Sequence, residues 1–357
     1  MPVKNLPEAI VNTKIANINN EHIKSVYEYY KNDEEFRDVD FVICSFWPAQ
    51  CELFIPLNKT IIFNPTHRYN LGRCTPKRWS KLNSNLYMLR EKSKLIVSSM
   101  SVYDREYTGY FTGLFGYRLF SYGGFYARGF DFNPTKNTIL IGPSMMEDYA
   151  RGSIDKLNEY SKKNNYSYEF KHIRKVYKRY TLDQLANHRA IILFPYAVMS
   201  YSITDFYASK IPLFVPSPKI WKNIPQRSVR QKIYCGRFFP NGLVPETPFN
   251  GTLHKFSPND GKYDAYQYWM SFADYYQWPY VTVYESLKDL FDKLISSDYQ
   301  KISDNMKSFN KIREADLLDN WCKILKTKDT QATIPKSFDE ALKYFGTNEF
   351  QTKPNTK

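Results

Sequence analysis

Apolar positions in this chain fall into short unbroken runs, separated by longer stretches in which they recur every three or four residues. The runs are 41–46 (FVICSF), 60–64 (TIIFN), 95–99 (LIVSS), 138–142 (TILIG), 190–195 (AIILFP), 211–215 (IPLFV) and 280–284 (YVTVY). Most are continuous rather than alternating, which predicts strands covered on both faces of a parallel sheet. The stretches between them predict helices over 21–36, 76–92, 102–112, 153–164, 181–188, 200–209, 264–276, 285–296 and 298–325. Strand–helix alternation repeated this often predicts an α/β fold with parallel sheets. The segment 123–137 (GGFYARGFDFNPTKN) is rich in Gly, Asn and Pro and separates two such series. A domain boundary belongs there. The expected division is an N-terminal domain over 1–130, a second over 138–325, and a loosely docked extension over 326–357.

Composition agrees with two domains. At 357 residues and 43% apolar, the chain can bury a core and is not a disordered protein. No uncharged apolar run approaches the ~20 residues of a membrane-spanning helix. The first thirty residues lack the apolar stretch of a signal peptide, so a cytoplasmic location is expected. Five scattered cysteines and the absence of any CxxC speak against a disulfide framework or a zinc finger.

Charge changes the picture. The net charge is +14, and three windows (59–94, 151–180 and 210–237) together carry +21, leaving the rest at −7. Basic patches attract phosphate-bearing partners: nucleic acid, an anionic membrane surface, or a nucleotide-linked small molecule. Most of the third window lies in 217–262, a stretch with six prolines and no periodicity. A loop that long is usually functional or mobile; a surface lid over an anionic ligand and an inert insertion are both open.

The most informative segment is 190–217 (AIILFPYAVMSYSITDFYASKIPLFVPS). A buried strand ends at Pro195-Tyr196, and a helix opens near Ser200–Ser202 with Asp205 in its first turns. In open α/β sheets the ligand crevice lies beyond the carboxyl ends of the strands, and helix starts attract anions. Tyr196, Ser200, Ser202 and Asp205 would face that crevice. A plain capping arrangement would read the same way.

That segment, together with 265–290 (AYQYWMSFADYYQWPYVTVYESLKDL), 298–325 and the N-terminal 51–113, resembles glycosyltransferases of the GT-B type. It is most similar to the divergent exostosin-like sequences of eukaryotes and large DNA viruses. The resemblance implies two Rossmann-like domains facing across a cleft, the first one reduced because no strand precedes Phe41. It implies a nucleotide-sugar donor on the second domain, a glycan or glycoprotein acceptor on the first, and a final helix crossing back. It places Ser202-Ile203-Thr204-Asp205 at the family's Ser-x-x-Glu ribose pair, with Asp for Glu. It places the Gly142-Pro143-Ser144 turn at the diphosphate, and Arg174 and Lys175 on a base-reading and phosphate-facing strand.

Inverting transfer needs a base for the acceptor hydroxyl and a stabiliser for the departing diphosphate. Glu52 and Asp104, each following a strand, are the acidic candidates, and His67 is the alternative base. Arg68 and Arg73 are the candidates for the diphosphate. Asp38-Val39-Asp40 resembles a metal-binding DxD but precedes its strand, and no His/Cys cluster offers another site, so no metal cofactor is expected. GxxxxGK[ST], GxGxxG after a strand, and GxSxG are all absent. The rival expectation is a non-catalytic basic protein binding nucleic acid or anionic membrane on a degenerate transferase fold.

Overall fold

The computed structural model describes residues 18–46, 48–73, 75–119, 125–127, 129–142, 147–195, 198–220, 243–247, 249, 254–327 and 333–346. It is an α/β protein with two sheets whose strands are all parallel, an arrangement compatible with Rossmann-like domains.

The first sheet has the order β1 (Phe41–Cys44), β2 (Thr60–Phe63), β3 (Leu95–Ser99), β4 (Tyr117–Arg118). Helices α1 (Asn20–Tyr30) and α2 (Glu34–Arg37) precede it. α3 (Cys51–Phe54), α4 (Pro76–Glu91) and α5 (Val102–Thr112) connect its strands. Local chemistry fixes these helix starts. Thr75 caps α4 with Pro76 at the first helical position, where proline's missing N–H costs nothing. Ser101 caps α5, which ends at Gly113 with φ +68°, a left-handed conformation that glycine adopts without strain.

The second sheet has the order β6 (Glu169–His172), β5 (Lys136–Ile141), β7 (His188–Ile192), β8 (Leu213–Pro216), β9 (Thr282–Tyr284). The order reverses between β5 and β7, and such a switch point opens a crevice at the carboxyl ends of the strands. Its helices are α6 (Glu147–Lys163), α7 (Ile173–Val176), α8 (Leu182–Ala186), α9 (Tyr201–Ala208), α10 (Tyr263–Met270), α11 (Asp274–Gln277) and α12 (Leu287–Ser296).

Side chains alternate across each sheet, so a continuous apolar run serves two cores. Ile139, Ile141, Ala190, Ile192 and Phe214 pack on the α6/α12 face. Leu140, Ile191, Leu213 and Val215 join the main core, which also holds Ile61, Phe63, Tyr103 and Trp269 from both halves of the chain.

The 27-residue α13 (Tyr299–Leu325) spans both halves. Near its start Phe309 packs on Tyr207, with rings 6.1 Å apart, and Asn310 donates to the Tyr207 carbonyl. Further along, Leu317 and Ile324 cover Ile62 and Leu119 on the outer face of the first sheet. Between them the buried Arg313 guanidinium lies 4.7 Å from the Trp278 ring, and burial pulls its pKa down to about 10.

After α13, residues 333–346 return to the first half. Tyr27 donates to the Pro335 carbonyl, Asn58 to that of Thr333, and Lys81 to that of Gly346. The helix α14 (Phe338–Ala341) sets Phe338 against Tyr27. This part of the tail is firmly anchored, through backbone carbonyls that a hydropathy pattern does not register.

Two strands lie outside the apolar runs. β4 is two residues long, and β6 is an edge strand reading EFKH, alternately exposed and buried. The expected helix over 264–276 is broken at 271–273 into α10 and α11.

Candidate functional site

The chain leaving β2 turns at residues 64–66. Asn64 donates its N–H to the Cys44 carbonyl, and Thr66 donates its own to the Ser45 carbonyl. This ties the turn to the end of β1 and aims Arg68 along the carboxyl edge of the sheet. From β3, Ser101 receives the Asp104 N–H at 3.0 Å and donates its hydroxyl to Asp104 Oδ2 at 2.7 Å. Arg68 Nη1 lies 2.6 Å from Asp104 Oδ1, with the carboxylate fully buried. The guanidinium lies 5.0 Å from the Tyr103 ring, a cation–π contact.

The second half supplies the facing groups. After β7 the chain reaches Val198–Ser200, where the Val198 carbonyl accepts the Asp274 N–H at 3.0 Å. Asp274 Oδ2 accepts the Ser200 N–H at 3.4 Å. The Asp274 carboxyl is pushed up to about 8, first by burial and then by the neighbouring charge of Asp104. Ser200, Arg68 and Arg118 pull the other way without prevailing. The two halves therefore meet at a carboxylate paired with arginine and a second carboxyl that is mostly protonated at neutral pH.

His67 adjoins this junction. Its Nδ1 lies 3.2 Å from Thr66 Oγ1, and its ring meets Phe46 edge-on. Burial, with Arg68 adding to it, lowers its pKa, so the imidazole is neutral at pH 7 and able to accept a proton.

Glu52 and Arg73 lie elsewhere, in the interior of the first half. Arg73 Nε donates to Glu52 Oε2 at 2.5 Å, and Asn85 donates to Oε1 at 2.7 Å. Both carboxylate oxygens are engaged, and both charged residues are nearly inaccessible. Asn85 also accepts the Gly346 N–H, coupling the pair to the anchored tail.

Of the donor-side residues, Ser144 and Tyr196 lie outside the described residues. Gly142 leaves β5 at φ +107° and donates to the Ile192 carbonyl, at the switch point. Ser200 contributes its N–H to Asp274, and Ser202 stands half-buried in the first turn of α9. Asp205 is bonded to the Tyr126 hydroxyl in the connector between the halves, and burial raises its pKa. Arg174 and Lys175 are not on a strand. The strand is β6, which ends at His172, and both cations are exposed on the α7 turn. The apparent strand pattern of HIRKVYKRY breaks because His172 Nδ1 accepts the Arg174 N–H and caps a helical turn. Arg174 and Lys175 line a cavity of about 380 Å³ at the β6 edge of the second sheet.

The structure thus brings Arg68, Asp104, His67 and Ser200 to one junction, and separates Glu52–Arg73 and Arg174–Lys175 from it. Sequence reasoning missed Asp274. Its one visible signal is an isolated acid between aromatics in FADYYQW.

An aromatic seam surrounds the junction. Tyr103 and Tyr110 on α5 each place a ring 5.7 Å from Trp269 on α10. Part of the 217–262 stretch is fastened to both α5 and α10. Glu246 accepts from Tyr110, Ser257 and Asn259, and His254 Nε2 lies 3.4 Å from Glu106 while its Nδ1 meets the Tyr268 hydroxyl. The most basic part of that stretch, 221–242, lies outside the described residues.

Comparison with protein-family models, curated proteins and solved structures finds no match. Among the described residues no helix is long and apolar enough to cross a membrane, and no group of three His, Cys, Asp or Glu side chains forms a candidate metal site. Asp38 and Asp40 precede β1, at its amino end.

Proposed function

We propose that this protein is a glycosyltransferase that moves a sugar from a nucleotide-activated donor to a hydroxyl acceptor, with the two sheets as the two halves of a GT-B-type enzyme. The observation that carries the reading is the junction itself: Arg68, Asp104 and His67 from the carboxyl edge of one parallel sheet meet Ser200 and Asp274 from the other. The crossing helix α13 is the second support.

In this reading Arg68 neutralises the departing diphosphate, doing electrostatically what a metal does in other transferases. Asp104 holds the guanidinium in place. His67, neutral because it is buried beside a cation, takes the proton from the acceptor hydroxyl. The donor nucleotide lies beyond β5 and β7, where Ser202 and Asp205 meet its ribose after Asp205 exchanges the Tyr126 hydroxyl for the sugar's.

The test is a thermal-shift and calorimetric screen of nucleoside diphosphates and their sugars, with and without Mn²⁺, on the wild type and Arg68→Ala. Binding of one nucleoside diphosphate that weakens in Arg68→Ala is the expected result. No binding by the wild type, or a salt-steep affinity for nucleic acid unchanged in Arg68→Ala, overturns the reading in favour of a polyanion-binding protein.

A further inference from the structure

The cavity at the β6 edge has a composition of its own. Ile154 on α6 and Phe170 on β6 supply its apolar lining, and Asp155, Lys171, His172, Arg174 and Lys175 complete it. Lys171 is bridged to the exposed Glu169 at 2.6 Å. Among the described residues, Arg174 and Lys175 form no ion pair. Two cations that form no ion pair among the described residues therefore border, with Asp155, a concave space of the size that small ligands occupy.

The turn carrying them is held firmly. His172 Nδ1 accepts the Arg174 N–H at 3.2 Å, and the Tyr177 N–H closes the turn on the Ile173 carbonyl at 2.8 Å. Tyr177 is itself fixed by its hydroxyl, 2.9 Å from His188 Nε2. Cations on an anchored turn lose less freedom on binding than cations on a loose loop.

We propose that this cavity binds a small phosphorylated ligand carrying free hydroxyls, with Arg174 and Lys175 on the phosphoryl group and Asp155 accepting from a hydroxyl. Guanidinium and ammonium groups together suit a phosphoryl dianion, the first by its planar fork and the second as a point charge. Asp155 argues against a bare polyanion, which it would repel, and for a ligand that also donates hydrogen bonds. The concave shape favours a small molecule over an extended strand. The site is distinct from the Arg68–Asp104 junction, and the inference does not rest on glycosyl transfer.

The experiment is titration calorimetry on the full chain at low salt, with ribose 5-phosphate, ribose and inorganic phosphate as probes. Ribose 5-phosphate is expected to bind saturably and ribose not at all. The double variant Arg174→Gln/Lys175→Gln should weaken ribose 5-phosphate by about tenfold or more. Asp155→Asn should weaken ribose 5-phosphate and spare inorganic phosphate. Arg68→Ala should leave all three titrations unchanged, which separates this site from the junction whatever the outcome there. Arg174, Lys175 and Asp155 are exposed, and an unchanged melting temperature certifies their variants. Competition with a nucleoside diphosphate identifies the source of the phosphate: displacement marks a nucleotide-linked ligand, and its absence a free phosphorylated sugar. No saturable binding, binding indifferent to the double variant, or binding lost only in Arg68→Ala overturns the proposal.

Discussion

Asp104 and Asp274 come from opposite halves of the chain, yet the charge of Asp104 is the second largest cause, after burial, of the raised pKa of Asp274. Two carboxyl groups that close cannot both ionise cheaply in a low-dielectric setting. Asp104 has Arg68 at 2.6 Å, whereas Asp274 accepts a long backbone hydrogen bond from Ser200 and feels Arg68 and Arg118 through their charge, too weakly to offset burial. The asymmetry leaves the proton on Asp274.

The first prediction concerns pH. With a folded-state pKa near 8 against an ordinary value of 3.8, Asp274 retains in the folded protein a proton that the unfolded chain releases. Its contribution to stability is therefore fullest below about pH 4, declines as pH rises through the window, and is lost above the folded pKa. Asp274→Asn should flatten this dependence and stabilise the protein at pH 8–9 by about 1–3 kcal/mol. Urea denaturation at pH 5, 7 and 9 checks it. A variant less stable than wild type at pH 9 would show that the carboxylate is compensated.

Glu52 and Arg73 predict a different result. Removing one partner of a buried pair strands the other charge, at a cost of about 3–5 kcal/mol. Arg73→Met and Glu52→Leu should each destabilise by that order. The double variant should recover a large part of it, because the uncompensated charge has gone. Additive losses in a double-mutant cycle would mean that each residue is held by its other partners instead.

Gly116 sits where the chain enters β4. A Cβ there would lie 2.1 Å from the Val97 carbonyl oxygen and 2.8 Å from the Ser98 nitrogen, both backbone atoms of β3 that cannot turn aside. Gly116→Ala should therefore break the β3–β4 pairing and cost several kcal/mol, of the order of ~3 or more. Gly129→Ala, which meets nothing within 4 Å, is the control and should change stability by no more than about 0.5 kcal/mol. Equal melting temperatures for the two variants would contradict the close approach.

How much of this was legible in the sequence depended on which interaction fixed each part. The seven apolar runs became strands, and inside a sheet a strand buried on both faces demands continuous hydrophobicity, as at β2, where every residue is buried, whereas β1 and β9 at the edges are covered only in part. β6 escaped because an edge strand with one solvated face needs only Phe170 and His172 inside. Arg68 and Asp104 were readable as residues following strand ends. Their pairing was not, since it depends on how the turn at 64–66 is tied to β1. Glu52 carried the same local signal as Asp104. Only the fold distinguishes them, by sending Arg73 and Asn85 to the one and leaving the other at the junction. Asp274 was hidden because its significance lies in a partner 170 residues away, and no pattern within a helix-length window encodes that.

The final prediction tests the role given to His67. Burial is the largest cause of its lowered pKa and Arg68 the second, while Asp104 opposes them. If His67 removes the acceptor proton, the rate must fall on the acid side as the imidazole is protonated, at a pH below the ordinary histidine value of 6.5. Arg68→Gln deletes the cation while leaving a polar side chain over Tyr103, so the pKa should rise and the acid limb should move upward. The overall rate will also fall, because the charge on the leaving diphosphate loses its partner. The position of the limb in kcat/KM against pH is independent of that loss, so the two effects separate in one experiment. His67→Gln should abolish the limb altogether. An acid limb that persists in His67→Gln, or does not move in Arg68→Gln, would assign the proton transfer to another group at the junction.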